Sequence, residues 1–116
     1  MTSIGLQKVG NLLADLPAAR VEEAFEHLLA RPGCRIERIV SHGHVTPPDQ
    51  PHLQPYDEWV LLLAGAARIE VAGAETVLVP GDHLLIPANA SHRVTFTDPD
   101  GSTIWLAVHF DGLTDY

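Results

Sequence analysis

The sequence predicts a mostly β protein of one domain, an antiparallel barrel or sandwich with a single helix in front of it. Two observations support this prediction. Apolar residues follow a helical period up to Arg31, and the period changes to that of strands from Cys34 onward. The strand-like runs are short, and turn sequences rich in Gly, Pro and Asp separate them every 8–12 residues or so, which is typical of sandwiches and barrels.

The leading helix is predicted from four apolar residues at positions i, i+4, i+7 and i+8, which share one helical face. They are Val21, Phe25, Leu28 and Leu29. Pro17 suits a first helical turn, and Pro32-Gly33 suits a helix end. We therefore expect a helix near Pro17–Arg31, packed on the outside of the main fold. Residues 1–33 form this helical segment and residues 34–116 form the barrel.

Seven strands are predicted after the helix, with β-branched or alternating residues between turn signals. They are Cys34–Ser41, Glu58–Leu63, Arg68–Val71, Glu75–Val79, His83–Ile86, His92–Thr97 and Thr103–Phe110. A loop with four prolines, Gly43–Pro55, interrupts the series. Proline lacks the amide donor that a central strand needs, so we expect this loop to cross the mouth of the barrel.

Composition excludes several classes of protein. Asp and Glu number 15 against 7 Lys and Arg, for a net charge of −8, so nucleic acid is an unsuitable partner. No apolar run reaches the roughly 18 residues of a membrane span, and the first residues do not resemble a secretory signal. The single cysteine, Cys34, excludes an internal disulfide. We expect a cytoplasmic protein without membrane contact.

Four polar residues form the candidate site. His52 and Gln54 share a face by the two-residue period of an extended chain, and Glu58 follows one short stretch later. His92 follows a turn at Pro87–Ser91 that returns the chain to the same end of the barrel. Two imidazoles and a carboxylate suit Fe, Mn, Ni or Zn and leave positions open for water or substrate. The alternative is a hydrogen-bonded polar cluster without a metal.

Two segments resemble the motifs of the cupin superfamily, G-x5-H-x-H-x3,4-E-x6-G and G-x5-P-x-G-x2-H-x3-N. The residues that match the first motif are His52, Glu58 and Gly65, and those that match the second are Gly81, Pro87 and His92. The resemblance covers about Arg35–Phe110. It implies an antiparallel double-stranded β-helix, the jelly-roll barrel of cupins, with the ligands of a divalent metal pointing into the cavity.

The sequence departs from these motifs at four positions. Gln54 occupies the position of the second histidine, and an amide oxygen is a weaker ligand for transition metals than an imidazole. Thr46, Asn89 and Phe96 occupy positions where the motifs have Gly, Gly and Asn. We therefore expect His52, Glu58 and His92 to be the stronger ligands and Gln54 the weaker one.

Other histidines are predicted to have ordinary roles. His83 and His109 lie in or near strands, where a half-buried structural side chain is favoured over a replacement ligand. His42 and His44 flank Gly43, where a role in the loop is favoured over contact with a substrate.

Two classes of function are favoured over a third, a structural or storage role. The first is binding of a divalent metal, a small molecule or both in the barrel, without catalysis. The second is a metal-dependent enzyme of the dioxygenase or isomerase type that acts on a small molecule. We also expect a homodimer, because a small barrel leaves sheet edges open.

Overall fold

The computed structural model describes residues 9–18 and 22–110, which contain eight strands and no helix. The strands are β1 (Ala24–Arg31), β2 (Cys34–Ser41), β3 (Asp57–Ala64), β4 (Ala67–Val71), β5 (Ala74–Leu78), β6 (His83–Ile86), β7 (His92–Thr97) and β8 (Thr103–Phe110). The predicted antiparallel β fold is therefore confirmed without its leading helix, and the seven predicted strands agree with β2 to β8 to within a residue or so at each end.

The strands form two antiparallel sheets, as expected for a cupin jelly roll. One sheet has five strands in the order β1-β2-β8-β3-β6, and the other has three in the order β5-β4-β7. Every neighbouring pair in either sheet is antiparallel. Because β3 and β8 are central in the larger sheet, side chains on their inner faces point between the two sheets.

The core lies between the inner faces of the two sheets. Its buried members are Val60, Leu62, Ala67, Ile69, Leu78, Ile86, Trp105 and Ala107. Full burial of one such aliphatic side chain stabilises a fold by about 1.5–3 kcal/mol. Four of these residues, Val60, Ile69, Ile86 and Trp105, also line the cavity that holds the polar side chains.

The predicted helix near Pro17–Arg31 is wrong for the described residues, because Ala24–Arg31 is the strand β1. Pro32-Gly33 is the two-residue turn of a hairpin in which Arg31 pairs with Cys34, and Gly33 has the positive φ of 77° that such a turn needs. The same dipeptide had been interpreted as a helix end. Residues 19–21, which include Val21 of the predicted apolar face, lie outside the described residues.

The helical spacing was misleading because β1 carries a β-bulge. The register with β2 shifts between His27 and Leu29, so Leu28 is the extra residue that disturbs the alternation. Phe25 faces the cavity side, whereas Glu26 contacts Arg38 with Oε1 2.6 Å from Nη2. A strand with one bulge therefore produced apolar spacings that resemble those of a helix.

The proline-rich loop Gly43–Pro55 forms no strand, which confirms the prediction that it does not pair as a central strand. In space it runs alongside β7, where the Thr46 amide donates to the Val94 carbonyl at 2.9 Å and the Thr97 hydroxyl donates to the His44 carbonyl at 2.7 Å.

None of the described residues belongs to a helix that could span a membrane.

Candidate metal and ligand site

A cavity of about 150 Å³ opens between the two sheets at the end where the proline-rich loop crosses. All four residues of the predicted site, His52, Gln54, Glu58 and His92, line this cavity. Glu58 and His92 are buried, Gln54 is half-buried, and His52 is exposed. The structure therefore brings the four residues together at one cavity, which the spacing of the motifs had suggested.

Backbone pairing holds the two predicted histidines side by side. The His52 amide donates to the His92 carbonyl at 2.8 Å, and the His92 amide donates to the His52 carbonyl at 3.0 Å. Their rings lie 5.4 Å apart between centroids. Asn89, with a positive φ of 65°, donates its amide to the Gln54 carbonyl at 2.7 Å. Asn tolerates this left-handed conformation, so it replaces the glycine of the second motif without losing the turn.

The His92 ring is oriented by a contact behind it. Its Nδ1 lies 3.1 Å from the Ala90 carbonyl oxygen, to which Nδ1–H donates, while Nε2 lies 3.5 Å from Glu58 Oε1. Metal-binding histidines commonly donate one ring N–H to a backbone carbonyl, which leaves the other nitrogen free for the metal. Burial alone would lower the pKa of His92, but the contacts with Glu58 and Ala90 outweigh burial and raise this pKa above its usual value.

Glu58 is the charged centre of the cavity. Gln54 Nε2 donates to Glu58 Oε1 at 2.9 Å, and His109 Nε2 lies 3.4 Å from Glu58 Oε2. Burial alone would raise the pKa of Glu58, but interactions with His109, His92 and Gln54 outweigh it and hold this pKa well below its usual range. The carboxylate therefore stays ionised in the cavity and is available to a cation.

His109 is a member of the site that the sequence analysis placed among the ordinary histidines. It pairs with Glu58 across β8 and β3, so the two side chains lie on the same face of the sheet. It is buried, and apart from the ion-pair contact of Nε2 with Glu58 its ring nitrogens form no hydrogen bond with the described residues. The alternation Trp105-Ala107-His109, buried at every second residue, is the sequence signal that predicts its inward direction.

The other predicted histidines lie away from the cavity lining. His83 packs against Trp59, with ring centroids 5.5 Å apart, but it is exposed and not half-buried as predicted. His44 accepts a hydrogen bond on Nδ1 from the His42 amide at 2.9 Å, in agreement with a loop role.

The rest of the cavity is apolar and acidic. Its apolar wall is made by Phe25, Ile39, Val60, Ile69, Ile86, Val94 and Trp105. Glu23 and Glu37 add two further carboxylates, and no Lys or Arg occurs among the described residues of the lining. A ligand therefore meets an apolar surface with negative charges at its edge.

Fit to a metal can be judged from the distances between the donor atoms. Among the described residues, no group of three or more His, Cys, Asp or Glu side chains is already arranged as a metal site. However, two donors at 2.0–2.2 Å from one tetrahedral ion are about 3.3–3.6 Å apart. Glu58 Oε1 lies 3.5 Å from His92 Nε2 and Glu58 Oε2 lies 3.4 Å from His109 Nε2, so the donor types and these two separations are compatible with a divalent ion.

The fold and the two motifs define a cupin, and comparison with known proteins agrees. The model of the family described as "Cupin domain" matches residues 37–109, so the chain belongs to this family. No curated protein resembles the chain closely enough in sequence to be matched to it.

Among solved structures, the chain is similar to a protein of Ralstonia eutropha named a "putative mannose-6-phosphate isomerase". The two are 47% identical, with a TM-score of 0.86, over 91% of this chain and 100% of the other. A Streptococcus pyogenes protein of unknown function matches at 20% identity and a TM-score of 0.75, over 96% and 93%. A cupin superfamily protein of Desulfitobacterium hafniense matches at 22% and 0.73, over 90% and 92%. The last two support the fold alone.

Proposed function

We propose that the cavity binds one divalent metal ion, Fe, Mn, Ni or Zn, through His52, Glu58 and His92, with Gln54 as a weaker donor. The observation that supports this most is the ionised, buried Glu58 beside an imidazole whose Nδ1 is already engaged by Ala90. A cation would compensate a carboxylate that otherwise depends on neighbouring N–H groups. When bound, such an ion would act as a Lewis acid towards a small ligand.

The remaining volume is proposed to hold a small organic ligand. A cavity of about 150 Å³ is the size that accommodates one benzene ring. Trp105 and Phe25 offer aromatic surface to the apolar part of such a ligand. The sequence and the cavity together favour a metal-dependent binding protein for one small molecule.

Metal content tests this proposal. The metal-free protein should take up one equivalent of Zn²⁺ in a calorimetric titration, and His92→Ala should weaken the affinity by more than about 100-fold, because a direct ligand costs more than the 10–100-fold of an outer-shell partner. His83→Ala removes a histidine outside the cavity lining and serves as the matched control. Uptake of Zn²⁺ that is the same in wild type and His92→Ala would contradict the proposal.

The second candidate is an enzyme of the isomerase type, and the similarity to the Ralstonia protein favours it. An isomerase needs a group that moves a proton, and His109 has two buried ring nitrogens without hydrogen-bond partners among the described residues. The absence of Lys and Arg from the described cavity lining argues against a phosphorylated substrate.

A homodimer is also proposed. The strand β1 lies at the end of the five-stranded sheet as described, and it exposes Phe25, Leu28 and Leu29. An edge strand with exposed apolar residues is suited to pairing with a second copy.

A further inference from the structure

We propose that His109, and not Gln54, supplies the remaining ligand of the metal site, so that the ion is held by three imidazoles and one carboxylate. This inference rests on the proposed metal binding, replaces Gln54 as the weaker donor, and names the residue that takes the place of the missing second histidine of the first motif. It assigns a direct role to a strand that lies outside both motifs.

The strand register brings His109 to the site. His109 on β8 is directly opposite Glu58 on the neighbouring strand β3, and its Nε2 lies 3.4 Å from Glu58 Oε2. This separation is the one expected for two neighbouring ligands of the same ion, about 3.3–3.6 Å. His92 Nε2 has the same relation to the other oxygen of Glu58, at 3.5 Å. The two imidazoles therefore approach the carboxylate as a pair.

Both ring nitrogens of His109 are buried, and neither forms a hydrogen bond of normal geometry with any described residue, although Nε2 lies within ion-pair distance of Glu58 Oε2. A buried polar group without a partner costs about 1–3 kcal/mol, so native structures rarely leave one unsatisfied. A metal ion at Nε2 would satisfy this nitrogen, and imidazole suits each of the metals considered.

The His109 ring is also held in place before any ion binds. Tyr56 packs against it with ring centroids 5.3 Å apart and an angle of 26° between the planes. The Arg35 guanidinium in turn lies over the Tyr56 ring, 4.9 Å from its centre. A ligand whose orientation is fixed by packing loses less freedom on binding metal.

Gln54 has a different role in the proposed metal site. Its amide nitrogen donates to Glu58 Oε1 at 2.9 Å, so Gln54 orients the carboxylate. Hydrogen-bonded partners of this kind tune a ligand from the outer shell. Gln54 is thus a positioning residue and His109 is a ligand.

The test compares two substitutions by Zn²⁺ titration of the full chain, with a fold check by circular dichroism. His109→Ala should weaken Zn²⁺ binding by more than about 100-fold, whereas Gln54→Ala should weaken it by about tenfold. His83→Ala is the control and should bind as wild type does. Equal affinity of His109→Ala and wild type would overturn the inference, and a large loss in Gln54→Ala would show that Gln54 is the ligand instead.

A second measurement covers the case in which His109→Ala does not fold. In wild-type protein labelled with ¹⁵N, the imidazole nitrogen resonances of His52, His92 and His109 should all shift when Zn²⁺ is added, and that of His83 should not. Shifts at His52 and His92 without one at His109 would refute this ligand and leave the proposed function standing. Failure of wild type to bind Zn²⁺ at all would overturn both.

Discussion

Glu58 and His109 show which residues of the candidate site sequence spacing can predict and which it cannot. The intervals of the motifs were sufficient to select His52, Glu58 and His92, because each lies at a fixed distance along the chain from a turn or a glycine. His109 is 51 positions beyond Glu58, and the two meet only through the pairing of β3 with β8. Sequence spacing does not contain this register, so the candidate site was predicted in part.

Gly65 provides a test at the residue scale, because its backbone and its surroundings both exclude a side chain. Its φ is +91°, and a Cβ there would lie 2.7 Å from Thr103 Cα and 2.8 Å from the Ser102 carbonyl oxygen. Gly73 has a similar φ of +85° with no atom within 4 Å of its own Cβ position. Alanine substitutions at the two glycines therefore distinguish the cost of backbone strain from the cost of a steric clash.

We predict that Gly73→Ala lowers the free energy of unfolding by about 1–2 kcal/mol, the cost of a left-handed residue. Gly65→Ala should lower it by about 1–3 kcal/mol more, because the new methyl group overlaps backbone atoms that cannot rotate away. Urea denaturation of both variants measures the difference. Equal losses in the two would mean that the chain near Thr103 adjusts without cost.

The first element of the described chain shows why local patterns mislead. β1 was predicted to be a helix because its bulge shifts Leu28 and leaves apolar residues at helical intervals. The dipeptide Pro32-Gly33 is compatible with a helix end and with a hairpin turn, and only pairing with β2 decides between them. The strands β2 to β8 were predicted correctly because alternation and turn residues agree there.

β1 also leads to a prediction for the element itself. Its exposed Phe25, Leu28 and Leu29 are proposed to contact a second copy of the chain. Light scattering at tens of micromolar should therefore show a dimer, and Leu28→Lys should shift it towards monomer because a desolvated charge opposes association. Val77→Lys, on the exposed part of β5 in the other sheet, is the matched control and should stay dimeric. A wild-type monomer would disprove the prediction.

At the scale of the whole molecule, charge limits what the barrel can bind. The chain carries a net charge of −8, and its cavity is lined by Glu23, Glu37 and Glu58 without Lys or Arg among the described residues. Ser41 donates to Glu23, and His27 lies 3.3 Å from Glu37, so these carboxylates are only partly compensated. Ligands with a strong negative charge meet repulsion on approach and lack a cationic partner when bound.

The name of the Ralstonia protein makes mannose 6-phosphate the relevant probe for this argument. A phosphate monoester carries about −1.5 to −2 charges at pH 7, and proteins usually bind it through Arg, Lys or a helix N-terminus. The described part of this cavity offers none of these, because its lining has no Lys or Arg and the described residues contain no helix.

We therefore predict that mannose 6-phosphate raises the melting temperature of the Zn²⁺-loaded protein no more than neutral mannose does, and that mannose 6-phosphate is not isomerised. Measurements at low ionic strength, where screening is weak, give the charge effect its full size. Tighter binding of mannose 6-phosphate than of mannose would show that a cation outside the described lining contacts the phosphate. Isomerisation of mannose 6-phosphate that His92→Ala abolishes would favour the isomerase.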